Sequence, residues 1–123
     1  MNDPFNQELP HKDEAERTVL GAMLQSRTAI DEARQKITEN DFYQPNNKTI
    51  YRLICDLSDQ HGDVDATLLC TTLTERKMLD RVGGLNYVGK LIDYAPTTSN
   101  VGIYANMVKT RRNDATSSPS APA

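Results

Sequence analysis

The stretch Ile50-Tyr51-Arg52-Leu53-Ile54-Cys55-Asp56-Leu57-Ser58-Asp59-Gln60-His61-Gly62 decides the fold class of this chain. Its apolar residues recur at intervals of three and four, so Ile50, Leu53 and Leu57 fall on one face of an amphipathic helix. Gly62 ends the pattern, because glycine readily takes the left-handed conformation that closes a helix. The stretch therefore predicts a helix that ends at Gly62 and buries one aliphatic face.

Five further segments have the same helical periodicity. Asp13 begins the first segment, Thr28 and Asp65 are predicted N-caps of the second and fourth, and the fifth stops before Pro96. No segment alternates apolar and polar residues as a strand would, so the chain is predicted to be all-α: a compact bundle of about six short helices. The apolar residues predicted to face the core outside the opening stretch are Ala15, Val19, Leu20, Met23, Leu24, Ile30, Ala33, Ile37, Leu68, Leu69, Leu73, Leu85, Val88, Leu91, Ile92, Val101, Tyr104, Met107 and Val108.

Composition divides the chain into one helical domain and two flanking segments. Residues 1–11 contain two prolines and little periodicity, which indicates an extended N-terminal arm, and residues 12–112 form the predicted helical domain. Residues 113–123 are rich in Ser, Pro and Ala and are expected to be disordered.

Charge and cysteine use limit the class of protein. The chain has 14 basic and 17 acidic residues and a formal charge of −3, which argues against autonomous binding of a nucleic-acid backbone. The basic residues Lys109, Arg111 and Arg112 are more typical of a helix C-terminus than of a DNA-reading element, so we do not expect direct DNA binding. Three features predict a cytoplasmic protein. The first 20 residues are polar, no apolar run reaches membrane-spanning length, and the two thiols, Cys55 and Cys70, are not clustered.

The segment Gly84–Leu91 is the strongest enzyme-like motif. Gly84, Gly89 and Lys90 match the phosphate-loop spacing G-x-x-x-x-G-K, but Leu91 replaces the hydroxyl residue that would coordinate magnesium. The apolar spacing through Leu85 is helical, so we expect Gly83-Gly84 to start a helix and Gly89 to allow a close contact between helices. A nucleotide-binding enzyme is the less favoured interpretation of this segment.

No other pattern predicts a catalytic, cofactor or metal site. His11 and His61 lie far apart in sequence, and Cys55 and Cys70 do not have metal-ligand spacing. We therefore expect no catalytic residues, no cofactor and no metal. Five tyrosines in a chain without Trp suggest a partner-binding patch, because Tyr is apolar with a polar tip, but they assign no docking face. They are Tyr43, Tyr51, Tyr87, Tyr94 and Tyr104.

Several short stretches, in this order and spacing, resemble the N-terminal domain of the DnaB-type bacterial replicative DNA helicase. They run from residue 10 to residue 108. They are Pro10-His11, Glu14-Ala15-Glu16, Val19-Leu20-Gly21, Met23-Leu24, Asp41-Phe42-Tyr43, Ile50-Tyr51, Val64-Asp65, Leu69, Leu73, Leu79-Asp80, Val82-Gly83-Gly84, Tyr87, Pro96-Thr97, Asn100, Tyr104-Ala105 and Val108.

The resemblance implies a docking role without chemistry. It implies the collar of a helicase ring, which self-associates as a weak dimer or higher oligomer and docks primase and the helicase loader. It implies no ATPase motor in this chain, whereas a full-length parent would be an ATP-dependent helicase. The chain departs from the family at Lys77, where a glycine is common, and in residues 113–123, where a helical hairpin is expected. The second departure favours an alternative: a short phage- or plasmid-type modulator that binds the host helicase, loader or primase.

Overall fold

The computed structural model describes residues 12–95 and 100–109. This part of the chain contains six helices and no β-strand, which confirms the all-α prediction. The helices are α1 (Lys12–Met23), α2 (Arg27–Lys36), α3 (Pro45–His61), α4 (Ala66–Glu75), α5 (Gly84–Lys90) and α6 (residues 101–109). Three short 3-10 turns lie between them, at Glu39–Asp41, Asp80–Val82 and Leu91–Tyr94. The predictions for residues 1–11 and 113–123 lie outside the described residues.

The helix ends follow local side-chain chemistry. Asp65 caps α4 as predicted, since its carboxylate accepts a 2.8 Å hydrogen bond from the Leu68 N–H. The prediction that Thr28 caps α2 was wrong: Ser26 has the extended backbone of an N-cap, and its hydroxyl accepts from the Ala29 N–H at 3.3 Å. Gly62 closes α3 with a φ of 90°, as predicted.

The predicted aliphatic core is largely confirmed. Of the predicted core residues, Leu68, Ile92, Tyr104 and Met107 are only partly buried, although they pack against the core. Leu85 was placed wrongly, because its side chain is 62% exposed. It lies in the first turn of the seven-residue helix α5, and that helix reaches the core only further along, through Val88. Most of the other predicted core residues are buried: Ala15, Val19, Leu20, Met23, Leu24, Ile30, Ala33, Ile37, Ile50, Leu53, Ile54, Leu57, Leu69, Leu73, Leu91, Val101 and Val108.

Among the glycines of the described residues, Gly21 and not Gly89 lies tightly against the backbone of another element. A Cβ atom added to Gly21 would lie 2.0 Å from the Leu91 carbonyl oxygen, whereas one added to Gly89 would meet nothing within 4 Å. Only a residue without a side chain therefore allows α1 to lie this close to the Leu91–Tyr94 turn. The expected close contact of Gly89 was wrong because that residue lies on the exposed side of α5.

Candidate protein-binding surfaces

The phosphate-loop-like segment is helical in the folded chain. Gly83 and Gly84 have φ angles of 115° and 81° and begin α5, which continues to Lys90 and buries Val88. A phosphate loop instead turns sharply after a strand and leaves successive amide groups open to phosphate. The geometry thus supports the helical interpretation of Gly84–Leu91.

The candidate metal and nucleophile residues are not brought together. Residues 12–95 and 100–109 contain no cluster of three or more His, Cys, Asp or Glu side chains able to hold a metal. His61 lies exposed in the last turn of α3, and Cys55 and Cys70 are free, half-buried thiols. Burial raises the pKa of both thiols, which keeps them protonated and weakly nucleophilic at neutral pH.

A buried carboxylate joins three of the helices. Glu16 of α1 is fully buried, and one of its oxygens accepts a 2.5 Å hydrogen bond from the Tyr43 N–H. Its other oxygen accepts from the side-chain amide of Asn47 at 2.9 Å and from the Gln44 N–H at 3.3 Å. The Tyr87 hydroxyl of α5 donates to the Asn47 side-chain oxygen. Because a charge in the core is tolerated only when it is well hydrogen-bonded, this network fixes the start of α3 against α1 and α5.

The predictions made from the sequence did not include this network around Glu16. A signal was present, since Glu16 is spaced four and seven residues from Leu20 and Met23 and so shares their buried face. The helix that it serves is α3, whose N-cap residue, Gln44, makes no side-chain capping bond. Glu16 instead accepts from the N–H of Gln44 itself and of Tyr43 before it, so a side chain from α1 holds the chain where α3 begins.

The five tyrosines separate into core and surface residues. Tyr51 is buried, and its hydroxyl donates a 2.8 Å hydrogen bond to the Ile37 carbonyl. Tyr87 and Tyr104 are half-buried, whereas Tyr43 is 73% exposed and Tyr94 is 40% exposed. The predicted tyrosine patch thus cannot include Tyr51.

Four large apolar side chains are exposed on the described part of the chain: Tyr43, Leu85, Tyr94 and Ile103. Tyr43 and Tyr94 both lie beside the first half of α1. The Tyr43 N–H bonds to Glu16, and the guanidinium of Arg17, the next residue, stacks 4.7 Å from the centre of the Tyr94 ring. These exposed side chains are the candidates for burial against a protein partner.

The candidate basic residues are described only in part. Lys109 is exposed at the end of the described section of α6, and Arg111 and Arg112 lie outside the described residues. The structure therefore does not test the nucleic-acid interpretation of these three residues. None of the helices in the described ranges is long and apolar enough to cross a bilayer.

A family model, the DnaB-like helicase N terminal domain, matches residues 8–110. The chain belongs to this family. The crystal structure of the N-terminal domain of DnaB helicase from Mycobacterium tuberculosis is similar, with a TM-score of 0.78 and 36% sequence identity, over 84% of this chain and 75% of that one. The fold and the resemblance noted in the sequence are thereby confirmed.

Curated relatives of this DnaB-like domain are much longer proteins. The replicative DNA helicase DnaB of Mycobacterium leprae is 36% identical over 87% of this chain and 18% of its own length. The replicative DNA helicase DnaC of Bacillus subtilis is 32% identical over 89% of this chain and 24% of its own length. The chain thus spans about a fifth to a quarter of the length of these relatives.

The DnaB-like domain keeps its turn geometry at the position where a glycine was expected. Lys77 has a φ of 57° and is the one non-glycine residue with a positive φ in the described ranges. The Met78 N–H donates to the Leu73 carbonyl at 2.8 Å, and the Lys77 N–H donates to the Thr74 carbonyl at 3.0 Å. This is the bond pattern of a Schellman cap, here built with a lysine in the left-handed position.

Proposed function

We propose that this chain is a non-catalytic protein-interaction domain of DNA replication that acts in the cytoplasm. In this role it self-associates as a weak dimer or higher oligomer and docks primase and the helicase loader. The observation that carries the proposal is the family match over residues 8–110, together with the 36% identity to a solved DnaB N-terminal domain. Any ATP-dependent unwinding would belong to a motor domain beyond the matched region.

The chemistry of the described residues supports a docking role. The one enzyme-like motif is part of a helix that buries Val88, and the two thiols are half-buried with raised pKa values. Burial of exposed aromatic and aliphatic side chains is a common source of affinity at protein interfaces. The four exposed apolar side chains lie on different elements, so they offer more than one possible contact face.

The proposal is tested with the purified chain in two measurements. Sedimentation equilibrium should show concentration-dependent self-association. Affinity capture should retain primase, the loader or the replicative helicase when each is added in purified form. Retention of none of the three, with the chain folded by circular dichroism, would remove the docking role.

The contact face is mapped with Tyr43→Ser, Leu85→Ser, Tyr94→Ser and Ile103→Ser. Each variant changes one exposed side chain, so each serves as the folding-matched control for the other three. We expect binding to fall in the variants on the contact face and to persist in the rest. Unchanged binding in all four would place the docking face elsewhere.

The modulator alternative is separated by an activity measurement. A collar domain added in excess should leave unwinding by an assembled host helicase unchanged, whereas a modulator that occupies a docking surface should change it in proportion to the amount bound. Inhibition or stimulation that saturates at equal molar amounts would favour the modulator.

A further inference from the structure

One groove on the described surface has three arginines among its seven lining residues. It lies between α3 and the connection from α4 through the Asp80–Val82 turn, and we call it the arginine groove. Three arginines and one aspartate give its lining a net formal charge of +2, although the whole chain carries −3. Its lining residues are Thr49, Arg52, Leu53, Asp56, Arg76, Met78 and Arg81.

Two other grooves in the described part of the chain differ from the arginine groove in charge. The groove beside Cys55 combines two arginines with a glutamate and an aspartate, and the groove between the α1–α2 and α3–α4 connections combines one arginine with two aspartates. In both, basic charge is matched or exceeded by acidic charge. The arginine groove has a surplus of basic charge.

The basic groups of the arginine groove are largely available to a ligand. Arg76 and Arg81 are exposed and form no ion pair with any residue in ranges 12–95 and 100–109. Arg52 lies 3.8 Å from a carboxylate oxygen of Glu39, in an exposed pair of the kind that contributes little to stability. An anionic ligand could therefore bind without breaking a strong internal contact.

The backbone beside the groove is held in an uncommon conformation. Lys77, with its φ of 57°, lies between Arg76 and Met78, and both neighbours line the groove. The Schellman cap fixes this turn, and the Arg81 N–H then donates to the Met78 carbonyl at 3.1 Å. The turn thus places two of the three arginines on one hydrogen-bonded segment beside α3.

We propose that the arginine groove binds an acidic peptide segment of a partner protein, with an apolar side chain of that segment placed against the half-buried Met78. Guanidinium groups bind carboxylates in pairs of hydrogen bonds, and clusters of arginine recognise acidic motifs. We favour a short acidic peptide over a nucleic-acid backbone, because the basic charge is confined to one groove and the chain as a whole, with a net charge of −3, would repel a long polyanion. This inference deepens the proposed docking role by naming the chemistry of one partner segment.

The test uses a defined probe and needs neither helicase nor primase, so its failure is separable from failure of the docking proposal. A fluorescein-labelled peptide of glutamates around a central leucine is titrated with the full chain, and anisotropy is recorded. A matched peptide with glutamines in place of glutamates is the ligand control. We expect the glutamate peptide to bind at least about tenfold more tightly, with an affinity that falls as salt is added.

The matched protein variants are Arg76→Gln with Arg81→Gln, and Arg27→Gln as the control from the groove between the α1–α2 and α3–α4 connections. The double variant should weaken peptide binding by about tenfold or more and keep its helical circular dichroism, whereas Arg27→Gln should bind as the unmodified chain does. Equal binding by the double variant would overturn the proposal.

Three other outcomes would also overturn it. The first is absence of binding to the glutamate peptide. The second is tighter, groove-dependent binding of a thymidine oligonucleotide, which would make this a nucleic-acid site. The third is that the unmodified chain does not bind the peptide and the double variant no longer self-associates. That result would make the groove a contact between copies of the chain.

Discussion

The carboxylate of Glu16 accepts a 2.9 Å hydrogen bond from the side-chain amide of Asn47, and both residues are fully buried although they lie 31 positions apart. Glu16 also accepts from two backbone N–H groups before α3, so one α1 side chain accepts from three donors around the start of α3. Asn47 in turn accepts from Tyr87. This pair connects the longest described helix to the two helices packed around its start.

Loss of the Glu16 carboxylate should destabilise the domain more than loss of any surface acid. Glu16→Ala leaves buried donors without an acceptor, and we expect the free energy of unfolding to fall by about 2–4 kcal/mol. Glu75→Ala, a change at an exposed acid, should alter it by about 0.5 kcal/mol or less. Urea denaturation followed by circular dichroism measures both. A double-mutant cycle with Asn47→Ala should show a coupling above about 0.5 kcal/mol, and additive effects would contradict a shared network.

Gly21 and Gly89 should respond to alanine in opposite directions. Gly21→Ala forces a methyl group into the Leu91 carbonyl and should destabilise the domain by about 2–3 kcal/mol or more. Gly89→Ala adds a methyl group in open space within a helix and should stabilise the domain by about 0.5–1 kcal/mol. The melting temperatures of the two variants, compared with that of the unmodified chain, test this prediction. A harmless Gly21→Ala would mean that α1 can shift away from the Leu91–Tyr94 turn.

Lys77 occupies a position that favours glycine. Lys77→Gly should stabilise the domain by about 0.5–1 kcal/mol, because relief of the left-handed conformation outweighs the greater freedom of glycine in the unfolded chain. Lys90→Gly, the same change at an ordinary exposed helical position, should destabilise by about 0.5–1 kcal/mol. Chemical denaturation of both variants and of the unmodified chain gives the three free energies of unfolding to be compared. If Lys77→Gly were less stable than the unmodified chain, the contacts of the lysine side chain would stabilise the fold by more than its left-handed backbone conformation destabilises it.

The free energy of unfolding should fall at alkaline pH, because the hydroxyl of the buried Tyr51 loses its proton. Burial raises the pKa of the Tyr51 hydroxyl well above its usual range, so the folded state holds this proton more firmly than the unfolded state does. The stabilisation is complete below the ordinary tyrosine pKa of about 10 and is lost as pH rises through the folded-state value. Cys55, whose pKa burial also raises, adds a loss in the same direction.

Tyr51→Phe separates this effect from general alkaline damage. The variant loses the hydrogen bond to Ile37 and should be about 0.5–1.5 kcal/mol less stable at neutral pH, but its stability should fall less steeply above about pH 10. Tyr43→Phe, at an exposed ring, should keep the slope of the unmodified chain. Denaturant titrations at several pH values give the slopes. Equal slopes for Tyr51→Phe and the unmodified chain would contradict the assignment.

Charge placed in the core should unfold the domain, whereas charge on α5 should not. Leu73→Asp puts a carboxylate at a fully buried site of α4 and should cost more than about 3 kcal/mol, enough to abolish cooperative folding of a small domain. Leu85→Asp changes a side chain that is 62% exposed and should leave circular dichroism and the melting temperature nearly unchanged. If Leu85→Asp unfolded the domain, Leu85 would belong to the core, as the periodicity of the sequence predicted.

Local sequence determined the helices, the Asp65 cap of α4, the end of α3 at Gly62 and most of the core. Helical periodicity is a property of one short segment, so the buried faces of α1, α3 and α4 could be predicted without knowing what covers them. The exposed Leu85 shows the limit of that argument, because a short helix can carry an apolar residue that no neighbour reaches.

Only the tertiary structure decided the features that depend on which backbones approach one another. Gly21 lies against the Leu91 carbonyl, and Glu16 accepts a hydrogen bond from Asn47 of α3. Arg52, Arg76 and Arg81 come from separate elements and line one groove. Each of these relationships joins residues distant in sequence, and their positions follow from how the helices pack. The physical reason is that periodicity specifies which face of a helix is buried, whereas the partner of that face is chosen by packing the whole bundle.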